Sequence, residues 1–296
     1  MRSRTKVGDS IFNVFNNTLL LLLGIATLYP FMNLLAVSLN QSLDTMRGGI
    51  YLWPREFTLD NYRLIFSNDR LFDSAALSVL RTLIGTGLSV ICTIMVAYAL
   101  SRREYMLRKT LNTIIVVSMY VNGGIIPIYL MIKNLGLTNT FAVYIIPGLI
   151  GAFNVMIMRS YFDQLPDGLV ESAKLDGANE WQTLFRVVMP ISLPVIATIT
   201  LFISVGHWNS WTDNFLYNSK ESLTLLQYQL MQILMQTTEQ VSGGIGSGTD
   251  DALLNFTTPQ SIRATMSMVV TLPILFVYPF LQKYFIKGMT LGAMKE

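Results

Sequence analysis

Residues 75–100 read AALSVLRTLIGTGLSVICTIMVAYAL, and residues 101–109, which follow at once, read SRREYMLRK. The first run carries one charged residue, Arg81. A helix of about 20 predominantly apolar residues is enough to cross bilayer hydrocarbon. The run also lacks the strict alternation that marks a half-buried strand. The second run sets Arg102, Arg103, Arg108 and Lys109 directly against the helix end, where basic residues mark a cytoplasmic boundary. The pair of runs therefore reads as a membrane-spanning helix and its cytoplasmic edge.

Working outward, the same kind of block recurs. Six are long enough to cross: Phe15–Leu39, Ala75–Leu100, Thr110–Ile132, Thr138–Met158, Ile191–Trp208 and Ile262–Tyr284. Composition agrees, with 52% hydrophobic and 13% charged residues and a mean hydropathy of +0.47, against roughly a quarter charged in soluble domains. The expected fold is all-α: a polytopic membrane protein forming a single domain over residues 1–296. The first block follows Arg2, Arg4 and Lys6 but reaches no small-residue cleavage site, so it reads as a retained helix.

Basic residues set the orientation. With the N-terminus inside, thirteen Lys and Arg fall in inner segments and seven in outer ones, with Arg81 inside a span. That places both termini in the cytoplasm and the chain in the cytoplasmic membrane. Gln41–Ser74 and Asn209–Ser261 become outer connections and Ser160–Pro190 an inner one. The second outer connection contains a Gly- and Ser-rich stretch at 242–248, which buries no core.

Several functions are excluded. Cys92 stands alone inside a span, which rules out disulfides and thiolate metal sites. The net charge of +3 is small and scattered, so no nucleic-acid partner is expected. One histidine and scarce intramembrane carboxylates leave no catalytic cluster, no cofactor or metal site, and no ion-coupling set of the kind secondary transporters carry. The sixteen methionines read as flexible packing residues. No G-x-x-x-x-G-K-[ST] loop occurs, so any ATP energy must come from another chain.

The inner connection carries the most specific pattern. In Leu165-Pro166-Asp167, Asp167 is placed to cap a short helix, and Glu171 complements its N-terminal dipole. Gly177 permits a turn that a Cβ would obstruct. A second run, Glu180–Val188, leads to Pro190 at the head of the fifth span. Helix, sharp turn, helix beneath the bilayer is one reading, and an ordinary interfacial loop is the other.

Here the sequence resembles a known family. Glu171, Ala173, Gly177 and Pro190 match the E-A-A-x-x-x-G-x9-I-x-L-P signature of ABC importer permeases, with Ser172, Val187 and Met189 as mild departures. Tyr120–Pro127, Ile146-Pro147-Gly148, Phe153-Asn154-Val155, Gly206–Trp211 and the tail Lys287–Lys295 resemble the LplC-type (MalG-like) branch of carbohydrate permeases, from about Lys6 to the C-terminus. The resemblance implies the type I importer permease fold, six transmembrane helices with a cytoplasmic coupling helix. It also implies a second, LplB-like permease, two ABC ATPase subunits, an extracytoplasmic solute-binding protein and an oligosaccharide cargo, some members handling acidic ones. By the same resemblance Glu171, Ser172, Ala173, Leu175, Asp176, Gly177 and Ala178 form the face that docks on the ATPase. A peptide or amino-acid importer shares that signature and stands as the alternative.

Candidate cargo contacts are His207, Trp208, Asn209 and Trp211, with Tyr120 and Asn122 in the third span. Aromatic faces stack on sugar rings, while amides and hydroxyls bond their oxygens; tryptophans there also serve as plain interfacial anchors. Arg81 reads as a snorkelling side chain, a structural pair, or a contact to cargo or partner. Gly123-Gly124 and Pro30, Pro127, Pro147, Pro194 and Pro273 are expected to interrupt helices. By resemblance, Gly244, Asp250 and Asp251 are placed to touch the solute-binding protein.

Overall fold

A computed structural model describes residues 6–67, 69–242 and 258–293. The main helices are α1 (Lys6–Ser38), α2 (Asp69–Ser101), α3 (Arg108–Tyr120), α4 (Ile125–Asn134), α5 (Ala152–Phe162), α6 (Asp167–Leu175), α7 (Leu193–Asn209), α8 (Thr212–Tyr217), α9 (Leu226–Ser242) and α10 (Pro259–Ala293). Among the described residues, extended pairing is limited to one isolated bridge between Asn40 and Phe57. The all-α expectation holds.

Among the described residues, three helices are long and apolar enough to cross a membrane: Asp9–Ser38, Asp69–Ser101 and Pro259–Val277. Two bent pairs bring the number to five if each counts as one span. Phe141–Gly148 and Ala152–Phe162 meet at 47°, and Glu180–Ile191 and Leu193–Asn209 at 86°. The expected third span is split: α3 and α4 are 13 and 10 residues long and are separated by Val121–Gly124. Gly124 takes φ +86°, and its N–H donates to Asn122 Oδ1 at 2.9 Å, so the Gly-Gly pair ends one helix and starts the next.

The prolines divide into two sets. Pro127, Pro147 and Pro194 sit in the first turns of their helical segments, where a missing N–H costs nothing. Pro30 and Pro273 lie inside α1 and α10, which run through them, so the interruptions expected there do not occur. The expected outer connection Asn209–Ser261 also holds two helices, α8 and α9. The α9 sequence LQYQLMQILMQTTEQVS alternates Gln with apolar residues and has no uncharged run long enough to suggest a span.

The chain divides into two compact units. The first, Met1–Asp69 with Gln232–Thr271, holds α1 and the loop after it. That loop is built on buried polar groups. The Asp44 carboxylate accepts from Asn40 Nδ2 at 3.0 Å and pairs with Arg55 Nε at 3.1 Å. Asn61 donates to the Ser38 and Asn40 carbonyls and accepts from Ser42 Oγ.

The second unit, Arg70–Met231 with Leu272–Glu296, holds the larger core. Ile94, Ala97, Tyr98 and Leu100 of α2 pack with Val155, Met158 and Phe162 of α5 and Val195, Ile196, Ile199 and Ile203 of α7. Ser89, Thr93 and Ala97 are spaced about one turn apart on α2 and are all but fully buried. Small residues at that spacing let helices approach closely where no water drives them together.

Candidate functional site

Two clusters in the second unit bear on function. The first is the segment Glu171–Pro190. Helix α6 starts at Asp167 with Pro166 at the N-cap position and no side-chain cap bond, so Asp167 is the first helical residue and not the expected cap. Val170 and Ala173 face the core, while Leu175 is 89% exposed. The C-terminus closes in a Schellman motif: Ala178 N–H donates to Ala173 O at 2.9 Å and Gly177 N–H to Lys174 O at 3.1 Å. Gly177 occupies its left-handed position at φ +82°.

Two residues on, Asn179 opens the next helix through a capping box. Its side chain accepts from Gln182 N–H, and Gln182 Oε1 accepts from Asn179 N–H. A wide turn over Thr183–Val188 then carries the chain to Pro190. Each end of the bend is thus closed by its own hydrogen bonds.

Side chains tie the bend to α2. Lys174 Nζ lies 3.0 Å from Glu180 Oε1 and 3.1 Å from Glu104 Oε2. Tyr98 Oη donates to Glu180 Oε2 at 2.7 Å, and the Arg102 guanidinium lies 4.8 Å above the Tyr98 ring. The Tyr98 hydroxyl, working against desolvation, and then Lys174 hold the Glu180 carboxyl below its usual range. Hydrogen bonds to Glu180 and Glu104 raise the Lys174 pKa. Trp181 and Phe185 stack at 6.0 Å on the exposed side. The result is a rigid knuckle with a polar brace on one side and an apolar tip, Leu175, on the other.

The second cluster surrounds the end of α7. Arg81 is 3% exposed. Its Nη1 donates to the Ser210 carbonyl at 3.1 Å and to Asp213 Oδ1 at 3.3 Å, while Nη2 pairs with Asp213 Oδ2. The guanidinium lies 5.1 Å from the centre of the Tyr144 ring. Asp213 also accepts from Ser210 Oγ and Asn214 N–H, each at 3.0 Å. His207 sits so close to α2 that a Cβ added at Gly85 would lie 2.8 Å from its ring. Of the readings open for Arg81, burial excludes snorkelling, and the structural pair is the one observed.

Sequence reasoning missed Asp213, Tyr144 and Gly85. Asp213 follows the Gly206–Trp211 motif by two residues and is the nearest carboxylate in sequence to the end of that span. That proximity was the available signal.

The predicted cargo residues are not all together. Trp208 is 8% exposed and lines a small apolar cavity with Leu201, Ser204, Pro273 and Val277. Asn209 is exposed and accepts from Gln227 Nε2 at 3.2 Å. Trp211 is half-buried against Phe215. Tyr120, 84% exposed, lines a different groove with Phe153, Tyr161 and Gln164. Asn122 is committed to the Gly124 turn. Gly244, Asp250 and Asp251 lie outside the described residues.

Apolar helices, one of them split at a glycine pair, with a braced knuckle between α5 and α7, define a multi-pass helical membrane protein. Comparison with known proteins makes the class specific. The chain belongs to the family of binding-protein-dependent transport system inner membrane components, which it matches over residues 85–291. It is 37% identical over 288 residues to the polygalacturonan/rhamnogalacturonan transport system permease protein YtcP of Bacillus subtilis, covering 97% of this chain and 99% of that one. It is equally similar to protein LplC of the same organism, 37% over 292 residues, covering 98% and 97%. Among solved structures it superposes at a TM-score of 0.85, with 28% identity, on a chain of a bacterial ABC transporter that imports the acidic polysaccharide alginate; 96% of this chain and 99% of that one are covered. The protein is a permease subunit of an ABC importer, and not an enzyme.

Proposed function

We propose that this subunit forms half of the import path for an acidic oligosaccharide derived from a polysaccharide. The observation that carries the reading is end-to-end similarity to a permease named for polygalacturonan and rhamnogalacturonan, joined by the alginate importer among solved structures. The full machine pairs it with an LplB-like permease, two ABC ATPases and an extracytoplasmic solute-binding protein. Both termini are cytoplasmic, and the chain crosses six times as one domain, with α3 and α4 together making the third crossing.

In this reading Glu171, Ser172, Ala173, Leu175, Asp176, Gly177 and Ala178 meet the ATPase. Exposed Leu175 is the anchor, and the two capped helix ends make the knuckle stiff enough to transmit a push. ATPase closure then moves α5 and α7, between which the knuckle hangs. His207, Asn209 and Trp211 offer a ring face and polar groups to the sugar, with Trp208 packed behind them; Tyr120 and Asn122 serve a second position on the path. Gly244, Asp250 and Asp251 touch the solute-binding protein.

The test is uptake of labelled oligogalacturonides and of labelled peptides by cells with and without this subunit. Loss of oligogalacturonide uptake alone is expected. Unchanged oligogalacturonide uptake with loss of peptide uptake would replace the sugar reading by the peptide one.

A further inference from the structure

We propose that Arg81 and Asp213 are positioning residues for the turn at Trp208–Trp211 and take no part in reading the charge of the cargo. The inference rests on the reading of that turn as a sugar contact. A buried arginine within a span demands a partner, and here Asp213 takes both terminal nitrogens, leaving Nε buried without a hydrogen bond. Arg81 gives both terminal nitrogens to Asp213 and one of them also to the Ser210 carbonyl. Bidentate pairing of this kind fixes direction as well as distance. An incoming sugar carboxylate would have to displace Asp213 from a guanidinium that is itself almost closed to water.

The link also lies at a junction. Helix α7 ends at Asn209, and the chain turns at Ser210 before α8 begins at Thr212. Arg81 holds that turn from α2 through a carbonyl before the new helix and a carboxylate inside it. The far side of α8 is held in the same way. Asn214 Oδ1 accepts from Leu225 N–H at 2.7 Å, Ser78 Oγ from Leu226 N–H at 2.9 Å, and Tyr144 Oη donates to Leu223 O at 2.7 Å. Ser78 and Arg81 are three residues apart on α2, so one face of that helix grips both ends of the 210–226 segment. Asn209 and Trp211, which flank Ser210, inherit their positions from this grip.

The experiment uses the importer reconstituted in vesicles with its partner permease, ATPases and solute-binding protein. A nitroxide is placed on Thr212→Cys in a Cys92→Ser background. Transport is measured with a galacturonic acid oligomer and with its uncharged methyl ester. Arg81→Gln or Asp213→Asn is expected to raise label mobility severalfold and KM about tenfold for both sugars alike, with kcat changed less. The double variant Arg81→Gln/Asp213→Asn is expected to be no worse than either single.

An unchanged label, additive losses, or a loss confined to the charged sugar would overturn the proposal. Should a single variant fail to assemble, recovery of assembly in the double supports the link, and continued failure counts against it. The sugar-contact reading is tested separately. Trp211→Ala with unchanged KM, while the label still responds to Arg81→Gln, would remove that reading and leave the link standing.

Discussion

Gly177 allows the knuckle to be tested by strain alone. A Cβ built there meets nothing within 4 Å, so a side chain meets no clash inside this chain. What it meets is φ +82°, a conformation that costs an ordinary L-residue about 1–2 kcal/mol and a β-branched one more. Asn tolerates that region better than Ala despite its larger size. Since about 1.4 kcal/mol is a factor of ten, Gly177→Ala should deplete the kinked form roughly 5- to 30-fold relative to straighter alternatives. Gly177→Val should deplete it more, and Gly177→Asn least.

The assay is ATP hydrolysis stimulated by loaded solute-binding protein in reconstituted vesicles, with assembly checked by co-purification. Strain predicts coupling in the order Gly, Asn, Ala, Val. Crowding against a docked ATPase predicts Gly, then Ala, with Asn and Val worst. Val coupling as well as Gly would refute both the strain argument and the assignment of this bend to the ATPase contact.

Further outcomes follow from the same geometry. Gly85→Ala must push the His207 ring aside, since the new Cβ would lie 2.8 Å from it; if His207 touches sugar, KM for transport rises while assembly is preserved. The Lys174–Glu180–Tyr98 brace should be insensitive to pH across the neutral range. A lowered Glu180 pKa gives stability that is present above its ordinary 4.5 and is lost as pH falls through the lowered value. A raised Lys174 pKa gives stability that is present below 10.5 and is lost as pH rises through the raised value. Amide exchange over 167–190 is therefore expected to show the same protection at pH 6 and pH 9. Glu180→Gln should cost under about 1 kcal/mol, because the pair is partly exposed. Thr93 is fully buried and its hydroxyl has no partner; Thr93→Val should be neutral or raise the melting temperature of the complex, because no hydrogen bond is lost.

Membrane character was legible because hydrocarbon tolerates few kinds of segment, and a long apolar run such as 75–100, with Arg81 its one charge, leaves no other reading. The bend at Gly177 was legible for a local reason, because a left-handed glycine is a short-range feature; the Asn179–Gln182 capping box is equally local but did not enter the sequence reading. Asp167 was misplaced by one residue because a cap and a first-turn acid look alike in sequence. Helix α9 was hidden because its Gln-rich pattern is neither apolar enough for a span nor charged enough for a surface helix. Pro30 and Pro273 were read as breaks because sequence shows the missing N–H but not the neighbouring bonds that carry the helix on.

Sequence by itself determined the class of protein, its helical membrane character and the position of the knuckle, because all three follow from runs and spacings along the chain. Only tertiary structure decided what Arg81 does. Its partner is 132 positions away in sequence, brought near when α2 packs beside α7. The same packing buried Trp208 and set His207 against Gly85. Long-range pairing is fixed by which helix faces meet, and no local pattern of residues records that.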